Sequence, residues 1–179
     1  SINNLKIAQR LHPTLENVDY KRADMSNPAL RVPKVEFGIC INAILTPHAK
    51  DRLIFFNNLK KCIKPNGFLV LTIPSLESYL LTRIVQQQFN IDKKEFSESI
   101  TGKKALIKWK NLIQGVGEID QVPHKHFLKE ELILMLKKSG FDVLEIKKIE
   151  YPWTTEFNRP PRWLHSPKPW DWMVVAKKD

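Results

Sequence analysis

The sequence is poor in cysteine and has no long apolar run, and both absences exclude classes of protein. Its 179 residues include two cysteines, Cys40 and Cys62, which form neither a disulfide framework nor a metal-ligand spacing. No apolar stretch approaches the roughly 20 residues of a membrane-spanning helix, and no signal peptide is recognisable. We therefore expect a cytoplasmic protein with no membrane segment and no metal site.

Acidic residues are also scarce: 29 lysines and arginines face 19 aspartates and glutamates, so the formal net charge is +10. Such a charge suits an anionic partner such as nucleic acid. The lysines, however, are spread along the chain, which is typical of a solvated surface, and we favour that interpretation. The apolar content of 42% is enough for one domain with a core.

The chain is organised around residues 35 to 75. The apolar run Val35 to Asn42 predicts a strand covered on both faces, and 48 to 62 predicts a helix. The sequence KPNG at 64 to 67 predicts a turn, and FLVLTIPS predicts a central strand. This order predicts a βαβ unit with parallel strands. The expected apolar stripe of the helix is Leu53, Phe56, Leu59 and Ile63.

The remaining segments predict further helices and strands. Two strands at the C-terminus are joined by a loop without a helix, which predicts an antiparallel pair. The polar segment 90 to 122 is interpreted as an insertion over one edge of the sheet, either shaping a substrate pocket or forming a plain surface excursion. The expected helices are 1–12, 76–89, about 105–113 and 128–138, with a Gly115–Gly117 break, and the expected strands are 18–24, 141–149 and 171–178.

Four segments in this order and spacing resemble the C-terminal two-thirds of a class I S-adenosylmethionine (SAM)-dependent methyltransferase. They are VEFGICINAILTPH, LKKCIKPNGFLVLTIPS, HKHFLKEELILMLKKSGFDVLEI and WMVVAKK. The resemblance implies an α/β, Rossmann-like sheet with strand order 3-2-1-4-5-7-6, in which strand seven is antiparallel. It also implies SAM as the cofactor.

The resemblance is incomplete, because the glycine-rich loop of the family's first strand and the acid that ends its second strand are both missing. Without strands one and two, the strand expected at 18–24 has no partner and one edge of the Val35–Asn42 strand is bare. We therefore expect a single, N-terminally incomplete methyltransferase-like domain over residues 1–179. Sequence outside this chain, or another chain, would supply the missing strands.

The resemblance also implies cofactor-binding residues. Asp24 stands where the family places an acid or amide that reaches the adenine amino group, and Met25 would pack on the ring. The alternative for Asp24 is a turn-forming aspartate. Asn42, Ala43 and Ile44 follow the central strand, where open α/β sheets bind ligands. By resemblance they line the methionine end of the cofactor.

Candidate acceptor residues lie nearer the C-terminus. His126 is the candidate base or acceptor-orienting group, because the family often places a histidine here, and His124 is its neighbour at the same pocket. The alternative is a histidine that hydrogen-bonds the loop backbone, and two histidines alone make a weak metal site. Tyr151 and Trp153 are assigned to the acceptor pocket, although aromatic residues also anchor proline-rich loops.

The resulting hypothesis is a methyltransferase that acts on a small-molecule acceptor. An RNA acceptor is the alternative that the net charge suggests, and it requires lysines on the face that bears Asn42 and His126. A third hypothesis is a catalytically silent methyltransferase-like subunit for assembly or binding, suggested by the missing glycine-rich loop.

Overall fold

The computed structural model describes residues 2–92, 101–119 and 121–179. Five α-helices and six strands alternate along this part of the chain. In order they are α1 (Ile2–Leu11), β1 (Val35–Ile41), α2 (Ala49–Cys62), β2 (Ile63–Pro74), α3 (Leu76–Gln88), α4 (Gly102–Ile113), β3 (Val116–Ile119), β4 (Val122–Lys125), α5 (Lys129–Lys138), β5 (Phe141–Glu150) and β6 (Trp170–Lys178), with a short 3₁₀ helix at Trp153–Thr155.

Four strands form the main sheet in the order β1-β2-β6-β5. Strands β1 and β2 are parallel, and β6 is antiparallel to both of its neighbours. The predicted βαβ unit and the antiparallel C-terminal pair are therefore confirmed. The order is also the one that the resemblance implies for the last four strands of its sheet. Within the described ranges, no helix has both the length and the apolar character needed to cross a membrane.

The turn predicted at KPNG is wrong, because α2 passes directly into β2 and these residues form an irregularity within that strand. Val35 pairs with Ile63 whereas Phe37 pairs with Phe68, so one residue of β1 lies opposite four of β2. Within this irregularity Asn66 has a left-handed backbone, with φ +62°. A Cβ on Gly67 would lie 2.7 Å from the Glu36 carbonyl oxygen, so this close approach requires glycine.

The strand predicted for residues 18–24 is also wrong. This segment has no regular structure, and only a short turn precedes it, in which Val18 N donates to Leu15 O. An isolated strand leaves its backbone donors and acceptors without strand partners, and alternation of side chains does not compensate for that.

Strand β1 was expected to be covered on both faces, and this is wrong as well. Phe37, Ile39 and Ile41 are 56%, 62% and 65% exposed, whereas Cys40, on the alternate face, is 7% exposed. Within the described residues β1 pairs with β2 alone, so its other edge carries no strand. The helices of the chain cover one face of the sheet at this edge.

The main core lies between the sheet and helices α2 and α5. Helix α2 buries Phe55 together with Phe56 and Leu59, while Leu53 is 55% exposed, so its apolar stripe is shifted from the predicted one. Trp170 and Trp172 belong to this core. A second cluster, of five residues, anchors the loop after β5 to α3: Val85, Ile91, Trp153, Phe157 and Leu164.

The predicted insertion at 90–122 contains α4 and most of a β-hairpin formed by β3 and β4. The predicted break at Gly115–Gly117 is instead a left-handed residue, Gly115 with φ +67°, that leads into β3. Residues 93–100 and 120 of this expected segment lie outside the described residues.

Candidate functional site

A cavity of about 550 Å³ lies where the parallel strands end. Asn42 follows β1 and Ser75 follows β2, so both sit at the carboxyl edge of the sheet, the usual ligand-binding edge of open α/β folds. The walls come from α3, the β3–β4 hairpin and the loop after β5. The lining residues used below are Asn42, Ser75, Ser78, Tyr79, Thr82, Arg83, Gln86, Asp92, Glu118, His124, His126, Tyr151, Glu156 and Asp171.

Helix α3 turns a polar face toward the cavity. Ser78, Thr82 and Gln86 are buried and line it, whereas the apolar Ile84 is 58% exposed. Ser75 caps the helix by accepting a hydrogen bond from Ser78 N through Oγ. Sequence reasoning predicted this helix but singled out none of its polar residues. The signal was present, because small polar residues recur every three to four positions from Ser75.

His126 is the most deeply placed titratable group of the cavity, with 4% of its surface exposed. Burial away from water lowers its pKa to about 4, so the imidazole is neutral at pH 7. Its Nδ1 lies 3.1 Å from the carbonyl oxygen of His124. Because a carbonyl oxygen only accepts, Nδ1 carries the proton and Nε2 is left as an acceptor.

Two contacts fix the orientation of this histidine. Its ring lies 4.5 Å from the Tyr79 ring, centroid to centroid, and its backbone N donates to Gly115 O at 2.7 Å. His124 is held differently, with Nδ1 2.8 Å from Val122 O. Among the described residues, no group of three or more His, Cys, Asp or Glu side chains is placed to hold a metal ion.

A buried ion pair holds the segment that carries both histidines. Lys125 is 1% exposed, and its Nζ lies 2.6 and 2.7 Å from the two carboxylate oxygens of Glu131 at the start of α5. The same Nζ donates to Gln114 O at 3.0 Å. Burial lowers the pKa of Lys125, while Glu131 opposes that shift. The pair therefore joins the end of α4 to the beginning of α5 behind the cavity.

A tyrosine and two acids form the opposite wall. Burial, and then the nearby carboxylates of Glu156 and Asp171, raise the pKa of Tyr151. Burial also raises the pKa of Glu156 and that of Asp171, although Asn42 Nδ2 donates to Asp171 Oδ2 at 3.2 Å. Sequence reasoning found Tyr151 but missed both acids, because each lies in a segment that is otherwise aromatic or proline-rich.

The described lining of the cavity contains more acids than bases, whereas the chain as a whole has a positive net charge. Among its described lining residues Arg83 is the one lysine or arginine, and it faces four acids: Asp92, Glu118, Glu156 and Asp171. Lysines gather instead at the other end of the sheet, where Lys178 Nζ donates to the carbonyls of Lys60 and Ile63. The lysine gathering that an RNA acceptor requires beside Asn42 and His126 is not seen in the described lining.

The predicted cofactor residues are only partly brought together. Asn42 lines the cavity and Ala43 is exposed beside it. Ile44 is fully buried in the main core, and Met25 packs against that core. Asp24 is exposed and accepts hydrogen bonds from the backbone and side chain of Ser26, the geometry of a turn-forming aspartate.

Trp153, predicted for the acceptor pocket with Tyr151, lies in the second core cluster and is 3% exposed. Its Nε1 donates to Pro167 O at 3.0 Å, and its ring stacks on Phe157. These contacts anchor the loop after β5, and Trp153 is not among the cavity residues.

Comparisons with known proteins give matches at the level of structure. No protein-family model matches this sequence, and a search of curated proteins found no similar sequence. A SAM-dependent methyltransferase from Methanosarcina mazei aligns over 99% of this chain and 78% of its own, with a TM-score of 0.60 and 16% identity.

Two further methyltransferases are similar in structure. A SAM-dependent methyltransferase from Anabaena variabilis aligns over 98% of this chain and 64% of its own, with a TM-score of 0.57 and 11% identity. The 1,6-didemethyltoxoflavin-N1-methyltransferase of Burkholderia thailandensis, solved with 1,6-didemethyltoxoflavin and S-adenosylhomocysteine, aligns over 97% of this chain and 55% of its own, with a TM-score of 0.54 and 12% identity. The chain spans less than two thirds of these two proteins. From its sheet and these likenesses, the chain has the fold of a class I SAM-dependent methyltransferase.

Proposed function

We propose that this chain contributes the acceptor side of a SAM-dependent methyltransferase that acts on a small molecule. The observation that carries the proposal is the polar cavity at the carboxyl edge of the sheet, with the buried, neutral His126 on its wall. A volume of about 550 Å³ is within the usual range for small-molecule sites.

The described residues fit the cofactor at one place. Asn42 and Ala43 follow β1, the position at which the resemblance puts the methionine end of the cofactor. The chain has no G-x-G-x-G sequence, whose glycines would let the backbone approach the cofactor closely. When bound, SAM supplies an electrophilic methyl group. We propose that the remaining contacts, and the strand that pairs with the open edge of β1, come from sequence outside this chain or from another chain.

The residues of the chain itself perform three tasks. The cavity walls hold the acceptor and exclude water, which serves an in-line displacement because positioning supplies much of the rate. Nε2 of His126 accepts a hydrogen bond from an acceptor O–H or N–H and takes the proton that such an acceptor loses. Tyr79 and the His124 carbonyl keep the ring in the orientation that this requires.

The charge of the cavity favours a small molecule over RNA. Phosphates bind where lysines and arginines gather, whereas acids outnumber Arg83 on the described walls. One structural neighbour, from B. thailandensis, was solved with the small molecule 1,6-didemethyltoxoflavin.

Two measurements test the proposal. Amide NMR shifts on adding S-adenosylhomocysteine should concentrate at Asn42 and Ala43. Methyl-labelled SAM, incubated with the protein and a cell extract, should label the small-molecule fraction. The substitution His126→Gln should reduce labelling by about 10² or more, whereas His165→Gln, on the exposed loop after β5, should not. Label in the RNA fraction would support the RNA hypothesis. Absence of both shifts and label, in a preparation that also contains the strands missing from the sheet, would support a silent subunit.

A further inference from the structure

The acidic wall of the cavity indicates a class of acceptor. We propose that the acceptor carries a cationic group, such as a protonated amine, which binds beside Tyr151 between the carboxylates of Glu156 and Asp171. This inference rests on the proposed function only where it treats the ligand as the methyl acceptor. The binding site for the cationic group depends on the geometry of the cavity.

The first support is the environment of the two carboxylates. Glu156, Asp171 and Tyr151 all line the cavity. The carboxylate of Asp171 raises the pKa of Glu156, and both carboxylates raise the pKa of Tyr151, as expected of groups that lie near one another. Partial burial raises the pKa of each carboxyl: Asp171 is half-buried, and Glu156, although exposed at its surface, has protein atoms in place of part of its surrounding water. A ligand cation placed between the two carboxylates would stabilise their ionised forms, since opposite charges attract more strongly where water is excluded.

The neighbouring groups satisfy these acids only in part. Asp171 receives one neutral hydrogen bond, from Asn42 Nδ2 at 3.2 Å. A side-chain hydrogen bond with Tyr151 and then the charge of Arg83 favour the ionised form of Glu156. The guanidinium of Arg83 also donates to Glu118 O at 3.2 Å and lies over the Tyr79 ring. Arg83 is the one lysine or arginine on the described lining. Among the described lining residues the acids therefore outnumber the bases, in a chain whose net charge is +10.

A second, independent observation, on the opposite wall, points to a ligand in the same cavity. His126 is 4% exposed, and its Nδ1 donates a hydrogen bond to the His124 carbonyl oxygen. Within the described residues Nε2 has no hydrogen-bond partner, and the ring lines the cavity. An acceptor with a cationic end beside Tyr151 and an N–H or O–H group near His126 would satisfy both walls at once.

The test compares three probes of one size and shape that differ in charge: benzylamine, benzyl alcohol and benzoate. Binding to the chain is measured by NMR titration, following the amides of residues 42, 126, 151 and 171. We expect benzylamine to bind at least about fivefold more tightly than benzyl alcohol, benzoate to bind most weakly, and the preference to shrink as salt is raised.

Variants assign the preference to the two acids. Glu156→Gln and Asp171→Asn should each reduce the benzylamine preference by about threefold to tenfold, with benzyl alcohol binding little changed. Asp142→Asn, an exposed acid of β5 outside the cavity, is the matched control. Circular dichroism spectra of all variants show whether they are folded, and Glu156→Gln, on an exposed loop residue, serves if Asp171→Asn does not fold.

The outcomes separate this inference from the proposed function. Equal binding of the three probes, or a benzylamine preference that survives both acid substitutions, would overturn the cationic acceptor while leaving methyl transfer in place. A benzylamine preference that depends on Glu156 and Asp171 supports the amine site, and it does so even if no methyl transfer is found.

Discussion

At the scale of residues, His126 couples the site to the stability of the fold. Its pKa is lowered from 6.5 to about 4, first by burial and then by the nearby positive charges of its neighbours. In the unfolded chain the imidazole regains an ordinary pKa, so between these values the unfolded state binds more protons than the folded state. Stability therefore rises with pH in this window and is lost as pH falls through it.

We predict that acidification from pH 6.5 to pH 4 lowers the free energy of unfolding by roughly 3 kcal/mol through His126 alone, because its pKa is about 4 in the folded state. Urea unfolding at several pH values would measure it. The difference between wild type and His126→Gln should narrow or reverse toward pH 4, with exposed His165→Gln as the matched control. Parallel curves for wild type and His126→Gln would contradict the burial of a neutral imidazole.

The Lys125–Glu131 ion pair also stabilises the fold, because the Lys125 ammonium contacts both carboxylate oxygens of Glu131. We predict that Glu131→Gln destabilises the fold by about 3 kcal/mol or more, since it leaves the Lys125 ammonium buried with less compensation. Chemical denaturation gives the value. Glu130→Gln, an exposed position on the same helix, should change it by less than about 0.5 kcal/mol. Equal losses of unfolding free energy in the two variants would show that the ion pair does not stabilise the contact between α4 and α5.

At the scale of elements, the β3–β4 hairpin is positioned by contact with α3. A Cβ added at Gly117 would lie 2.5 to 2.8 Å from ring carbons of Tyr79, whose ring packs at a tilt against His126. We predict that Gly117→Ala costs about 1–3 kcal/mol and moves the ring resonances of His126. Gly102→Ala, at the start of α4 with open space around its Cβ, should be neutral or slightly stabilising. An unchanged His126 spectrum in Gly117→Ala would contradict this coupling.

The elements that sequence reasoning found are the five helices and the strands of the main sheet. The parallel β1–β2 pair, the antiparallel β5–β6 pair and helices α2, α3 and α5 follow from apolar periodicity and from turn residues, which act locally. The segment 18–24 alternates in the same way but has no neighbouring strand, so its pattern was misleading. Pairing is a tertiary property that a single segment does not contain.

The site was harder to derive than the fold for a similar reason. His126 and Tyr151 were found through a resemblance and a residue type, and both line the cavity. The polar face of α3 and the acids Glu156 and Asp171 were missed, because their proximity depends on how α3, β6 and the loop after β5 pack together. Trp153 is an aromatic residue of the same loop, but packing places it in the core.

At the scale of the whole molecule, the edge of the sheet at β1 is the feature that most distinguishes this chain from a closed domain. Phe37, Ile39 and Ile41 project from one face of β1, each more than half exposed, and within the described residues the strand pairs on one side only. An exposed edge with apolar neighbours is an association surface. We expect the chain to associate as its concentration rises, and Ile39→Lys to reduce that association without unfolding it.

Two isoleucines on adjacent strands allow an exposed position to be compared with a buried one. Ile39 on β1 is 62% exposed, whereas Ile73 on β2 is fully buried. We predict that Ile73→Ala costs about 2–5 kcal/mol of unfolding free energy, while Ile39→Ala costs less than about 1 kcal/mol, because little apolar surface is returned to water. Denaturation at low protein concentration measures both. If Ile39→Ala proves as costly as Ile73→Ala, then the outer face of β1 is covered in solution. In that case a second copy, or part of the chain outside the described residues, would lie against this face of β1.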